Sequence, residues 1–158
     1  MGILPKKRID SKLRQQSSSR SQAARNLRCS EVMEEPRIIK ATSSVSMVIH
    51  HVTENEWDHV FLIDENKLPV GRIHAVDLLK MVDLKRVNRD MVWAEAIPAT
   101  QCVSQPPLSV KENTPLLKAT VLMLTHDLNQ LAVVDFEGAI VGTITPSIVA
   151  RHLPRYIL

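Results

Sequence analysis

Aromatic residues make up only 3% of this 158-residue chain, and that scarcity already removes a class of functions. Platforms that bind single-stranded nucleic acid stack bases on Phe, Tyr and Trp. Two Phe, one Tyr and two Trp cannot build one, so nucleic acid is not an expected partner. Cysteine is nearly as sparse. Cys29 and Cys102 stand in no Cys-x-x-Cys pair and have no His nearby at metal-ligand spacing, which fits reduced thiols in a cytoplasmic protein. No run of about 18 apolar residues exists to span a membrane, and residues 1–28 lack the apolar core of a secretory signal. Four glycines form no Gly-rich loop, and no Gly-x-x-x-x-Gly-Lys-Ser/Thr occurs. No Ser/His/Asp or Cys/His arrangement and no carboxylate pair stands out. The expectation is a protein without catalytic or metal-ligating residues. His50 and His51 adjoin on a helix and so point to different faces, while His59 and His126 have no carboxylate or Cys at ligand spacing.

What is present is aliphatic. Apolar residues reach 44%, ample for a core built from Leu, Ile, Val, Ala and Met, in one compact domain or two small ones sharing a core. Charge is distributed unevenly. Residues 1–28 hold eight Lys/Arg against one acid, a local +7, so the remaining 130 residues carry −4 of the overall +3. That Ser-, Gln- and Arg-rich stretch cannot bury enough surface to offset chain entropy and reads as a disordered basic tail. It serves as a solvated tail or linker, or as a basic arm toward an anionic surface. Glu31, Glu34 and Glu35 read as a solvated acidic run.

The central feature is a duplication. Val60–Leu79 (VFLIDENKLPVGRIHAVDLL) is written again 71 residues later in Leu131–Val149 (LAVVDFEGAIVGTITPSIV). Asp64 matches Asp135, Val70 matches Val141, Gly71 matches Gly142 and Ile73 matches Ile144. Upstream, Pro36, Ile39, Lys40 and Val45 match Pro107, Val110, Lys111 and Leu116. Each copy reads as strand, turn, strand and then helix. The chain divides into the tail (1–28), a first repeat (29–84), a linker with a short helix (85–99) and a second repeat (100–158).

Within the repeats, Ile38–Ile39 and Leu108–Val110 are short strand candidates. Ser43 or Ser44 caps a helix striped by Val45, Val48, Ile49 and Val52. Thr114 is placed to cap the next helix, with Pro115 at its first position. That helix, LLKATVLMLTH, is apolar nearly all round and must be covered on two faces, by its own domain and by the sister repeat or a second chain. Thr145 and Pro146 repeat the cap-and-proline pattern at the last helix, which Pro154 ends.

Each copy runs from a strand through Gly-x-h-x into a helix. In the first, His74 holds the cap position and Asp77 lies in the first turn. Backbone N–H groups at a helix start attract anions, and a carboxylate one turn in can accept from paired ribose hydroxyls. This pattern points to an adenosine-nucleotide pocket with phosphate near residue 74, ribose on Asp77 and the base in an apolar cleft between repeats. Asp77 serves equally as a plain first-turn carboxylate, and His74 as a plain cap residue or as a phosphate donor whose protonation couples binding to pH. Gly71 and Gly142 read as sites of close backbone approach.

The signature h-h-h-Asp, then h-h-Gly-x-h-(Thr/Ser)-x-x-Asp, resembles the cystathionine-β-synthase (CBS) domain over about Glu31–Leu153, in the tandem form called a Bateman module. The resemblance implies an α/β (α+β) fold of two pseudo-symmetric β-α-β-β-α repeats packed sheet to sheet. It also implies a homodimer that regulates an enzyme or transporter partner by binding AMP, ATP, ADP or S-adenosylmethionine. Carried over by residue, the family's ribose acid falls on Asp77 and its phosphate-side hydroxyl on His74. In the second repeat the hydroxyl is kept as Thr145 but the acid is replaced by Ile148. Neither site is complete, and at most one strong site is expected, at Asp77. Gly71 joins the candidate ligand-binding residues, and the family's cross-repeat geometry adds residues near Ser109 and Leu131 to the cleft. The alternative is a module with degenerate sites that only dimerises, akin to the regulatory C-terminus of osmoregulatory transporter ATPases.

Overall fold

Five consecutive residues of the first repeat, His59–Ile63 (β2), are buried without any polar alternation, the pattern of a strand covered on both faces. The computed structural model describes residues 25–84, 97–103 and 108–153, with residues 14, 22 and 95 besides. Ile38–Lys40 (β1) pairs with β2 in parallel, and Pro69–His74 (β3) pairs with β2 antiparallel, giving the order β1-β2-β3. The second repeat builds the same sheet from Ser109–Lys111 (β4), Leu131–Val134 (β5) and Ile140–Ile144 (β6). Five α-helices, Cys29–Val32 (α1), Val45–Asn55 (α2), Ala75–Leu84 (α3), Leu116–Thr125 (α4) and Pro146–His152 (α5), and a short 3-10 helix, Ala99–Cys102, complete the described elements.

The matched residues have matched jobs. Asp64 Oδ1 accepts from the N–H groups of Asn66 and Leu68, each at 2.9 Å, closing the β2–β3 turn. Asp135 Oδ1 does the same for Glu137 (2.9 Å) and Ala139 (3.0 Å) in the β5–β6 turn. Both turns need one left-handed residue, which is Gly138 (φ +88°) in the second repeat and Lys67 (φ +61°) in the first. Only glycine adopts that conformation without steric cost. A Cβ on Gly71 would lie 2.5 Å from Val103 Cγ2, and one on Gly142 would run into Met33 Sδ, so both glycines admit a crossing segment.

Those crossing segments tie the repeats together. The stretch leading into the first repeat packs on the second: Leu116 N–H donates to Leu27 C=O (2.7 Å), and Cys29 N–H to Thr114 C=O (2.9 Å). The stretch leading into the second repeat packs on the first: Val45 N–H donates to Ile97 C=O (2.9 Å), and Ala99 N–H to Ser43 C=O (2.8 Å). Cys29 is accordingly buried among Leu116, Leu131 and Ile144, and Cys102 among Val48, Val60 and Ile73. Burial pushes the Cys29 thiol up to about 11, and burial followed by the Asp77 carboxylate raises Cys102. The two sheets meet face to face through Phe61, Ile63, Ala132 and Ile140.

Several helix starts follow the sequence. Ser44 caps α2 by accepting from Met47 N–H at 3.3 Å, and Thr145 caps α5 with Pro146 in its first turn. The expected start of α4 is corrected. Pro115, not Thr114, is the cap residue, and no side chain caps the helix. The crossing strand supplies the partners instead, because Leu27 C=O takes the Leu116 N–H and Cys29 N–H takes the Thr114 carbonyl. The body includes Leu27 and Arg28, whose Nη1 donates to Asn113 C=O at 2.9 Å. Of the linker expected to carry a short helix only Glu95 and residues 97–99 are described, and Pro154 lies outside the described residues. The expected tail lies outside them up to residue 24, apart from Arg14 and Gln22. On α4, Leu116, Ala119 and Met123 face the core, while Val121 (60%) and Leu124 (78%) remain exposed.

Candidate functional site

The two strand-to-helix turns are built differently. At the first, the His74 N–H donates to Asp77 Oδ2 (2.8 Å) and the Val76 N–H to His74 Nδ1 (3.2 Å). This is a reciprocal capping box with an imidazole in place of a hydroxyl. At the second, Thr145 Oγ1 accepts from Ile148 N–H at 3.4 Å, and nothing reciprocates, because Ile148 points into the core at 1% exposure.

Both turns open onto one cleft of about 450 Å³ between the repeats. Its walls come from equivalent positions of the two halves: Asp58 with Asn129, His59 with Gln130, His74 with Thr145. The cleft therefore straddles the pseudo-twofold axis. Arg37 and Glu34 join from the N-terminal side, and Thr143, Pro146, Ser147 and Arg151 from the second repeat.

Its polar groups pair off in three separate sets. Arg37 Nη1 and His59 Nδ1 each lie 2.6 Å from Asp58 Oδ1. Arg72 Nη1 donates to Gln130 Oε1 (2.7 Å), crossing from one repeat to the other. Arg151 Nη2 donates to Glu34 Oε1 at 3.0 Å. Burial works against ionisation of Asp58, but the His59 hydrogen bond and charge, with Arg37, outweigh it and hold the carboxyl below its ordinary range. For His59, burial dominates over the pull of Asp58 and shifts the imidazole toward its neutral form.

The structure brings His74 and Thr145 into this cleft, and Asp77, Gly71, Ser109 and Leu131 are not among the residues that line it. Asp77 is half-buried one turn into α3, its carboxylate on the His74 N–H. Gly71 lies buried in β3 against Val103. Leu131 is fully buried at the start of β5, where its carbonyl accepts from Thr143 Oγ1 at 3.2 Å. Ser109 lines a second cavity, about 260 Å³, with Leu68, Pro69, Lys111 and Val134. Among the described residues no group of three or more His, Cys, Asp or Glu could hold a metal ion. His51 stacks on Trp57, with ring centroids 6.4 Å apart.

Asp58, Gln130 and Arg37 were not singled out by the sequence reading. A signal existed: at the repeat offset, Asp58-His59 aligns with Asn129-Gln130, a polar pair immediately before each buried strand.

A family model described as the CBS domain matches residues 29–84 and again 99–155. The chloroplastic CBS domain-containing protein CBSX1 of Arabidopsis thaliana is 27% identical, with 75% of this chain and 59% of that protein aligned. The chain spans 50% and 59% of the lengths of two curated relatives that it matches. A CBS domain protein from Pyrobaculum aerophilum, solved in complex with AMP, superimposes with a TM-score of 0.70 at 20% identity, over 83% of this chain and 98% of that one. Staphylococcus aureus OpuCA does so with a TM-score of 0.63 at 19% identity, over 79% of this chain and 97% of that one. At these identities the structural likenesses show a shared fold.

Proposed function

The chain belongs to the CBS domain family, as a pair of CBS repeats, and from that premise we propose that it is a regulatory module that binds an adenosine nucleotide or related adenosyl ligand between its repeats. The observation that carries this reading is the cleft on the pseudo-twofold axis, where both strand-to-helix turns converge on a polar wall. AMP, ADP, ATP and S-adenosylmethionine are the candidate ligands. The phosphate side lies toward His74 and Thr145, and the ribose hydroxyls bond to Asp77. That carboxylate already accepts from the His74 N–H, and an ionised carboxylate has about four acceptor positions, so the cap and a ribose are compatible. Gly71 lets the crossing segment pack close against β3, while Ser109, in the second cavity, and the buried Leu131 stay outside the proposed ligand contacts. With Ile148 packed in the core, the second repeat has no acid to hold a ribose.

The module signals through a homodimer. Support comes from apolar side chains that one copy leaves uncovered: Val76 and Leu79 on α3, Val121 and Leu124 on α4. A ligand shifts such an assembly only by its differential affinity for two arrangements. The partner is a regulated enzyme or transporter, and the chain acts as a binding module, a reading supported by its pair of CBS repeats. No helix among the described residues is long and apolar enough to cross a membrane.

A second reading is favoured by the incomplete second site and by the OpuCA likeness: a module with degenerate sites that only dimerises, related to the regulatory part of an osmoregulatory transporter ATPase. Calorimetric titration with the four ligands separates the two. Binding of any of them tighter than about 1 mM, lost in Asp77→Ala, is expected. Silence of all four ligands sends the reading to the dimerising module.

A further inference from the structure

The two halves of the axial cleft differ in what can be ionised. The first repeat contributes Asp58, His59 and His74, where the second has Asn129, Gln130 and Thr145. His59 stands out among them. It is 2% exposed, it lines the cleft, and its Nε2 is buried with no hydrogen-bond partner among the described residues. Its other nitrogen is committed, with Nδ1 2.6 Å from Asp58 Oδ1 and Arg37 Nη1 2.6 Å from that same oxygen. A carboxylate held ionised by a guanidinium only accepts, so Nδ1 carries the ring proton and Nε2 of the neutral ring is a bare acceptor. A buried acceptor without a donor is costly, and whatever brings a donor to it gains that cost back.

We propose that His59 is the specificity-determining residue of the cleft: its Nε2 accepts from a hydroxyl or amino group of the bound ligand while the imidazole is neutral, and donates to a phosphate oxygen once the imidazole is charged. The proposal rests on the reading that the cleft holds an adenosine-type ligand. It makes the preference between a phosphorylated and an unphosphorylated nucleoside a function of pH, set by one residue of the first repeat. The charged and titratable groups around His59 are Asp58 beside it, Arg72 and His74 on β3, Arg37 and Glu34 on the N-terminal side, and Arg151 on α5. Asp58 favours the imidazolium, whereas Arg37 and His74 oppose it.

The test titrates AMP and adenosine into the full chain at pH 7.5 and pH 5.5. His59→Gln, which copies the residue the second repeat already uses, is the control. The AMP-to-adenosine affinity ratio is expected to rise about tenfold more in the wild type than in His59→Gln on acidification, the gain of one charged hydrogen bond. Titration of the nucleotide's own phosphate is common to both proteins and cancels. An equal rise in both would overturn the proposal. Nitrogen-15 spectra of the wild-type imidazoles read the tautomer without any variant: a proton on Nδ1 is expected at pH 7.5, and one on Nε2 would overturn it. If neither nucleoside nor nucleotide binds, the adenosine reading fails separately. Inorganic phosphate then decides: a raised His59 titration midpoint upholds the proposal, and an unmoved one sinks it.

Discussion

The two repeats carry the same backbone and opposite chemistry. β1–β3 and β4–β6 share strand order, pairing sense and even the position of an irregularity, at Leu62/Ile63 and at Val133/Val134. Around the shared cleft, however, the first repeat places Asp58, His59 and His74 where the second has Asn129, Gln130 and Thr145, and beyond it Asp77 answers to the core residue Ile148. Core and turn positions are held by packing and by backbone groups that must be satisfied, so both copies keep them. Positions facing the cleft are under no such constraint. Duplication leaves them open to diverge, and the divergence is where function is to be sought.

The largest expected effect comes from forcing the halves to match. Ile148→Asp restores the missing acid in name, but the side chain there is 1% exposed against Leu116 and Leu131. An uncompensated carboxylate in that core costs about 3–5 kcal/mol, so thermal melting should show a protein near the edge of folding, not a second site. Asp77→Ala removes the acid from the other half. Ligand affinity should fall tenfold to a hundredfold in calorimetry, as for loss of a charged hydrogen bond of about 1.5–3 kcal/mol. The lost cap to the His74 N–H costs about 1 kcal/mol in a denaturant melt.

A smaller contrast lies in the turns. Lys67→Gly should stabilise the first turn by up to about 1 kcal/mol, because Lys67 sits at φ +61°. Gly138→Ala should destabilise the second by about as much or more, since its Cβ would also meet Leu68 Cδ2 at 2.9 Å. The smallest effect separates the halves by pH. The folded state lowers the His59 pKa below its ordinary 6.5, so the unfolded chain binds more protons there and stability rises with pH through that window. Wild-type melting temperature should therefore begin to drop as pH falls past about 6.5, and His59→Gln should drop less. Asp58 has the same sign lower down. Its stabilisation is present above the unfolded value of 3.8 and is lost as pH falls through its depressed folded value.

Much of this was legible before any coordinates. The 71-residue offset located six strands, because buried strands and the turn acids Asp64 and Asp135 leave local signatures. The cap at Ser44 and the cap-and-proline start of α5 were legible for the same reason. The exchange of leading segments was not. Leu27 meets Leu116, and Ile97 meets Val45, through backbone hydrogen bonds across 89 and 52 residues of chain, and no local pattern encodes such partners. That exchange is also why the cap assigned to Thr114 failed. His59 gives no such signal, because its burial beside Asp58 and Arg37 is a product of the fold.

Where a ligand lands tests the shared cleft most directly. Mapping backbone amide shifts as AMP is added should move Asp58, His59, His74 and Asp77 of the first repeat together with Gln130 and Thr145 across the axis, and leave the Ile148 core still. Shifts confined to the outer helices, or spread evenly over both repeats with the axial cleft unmoved, would contradict it.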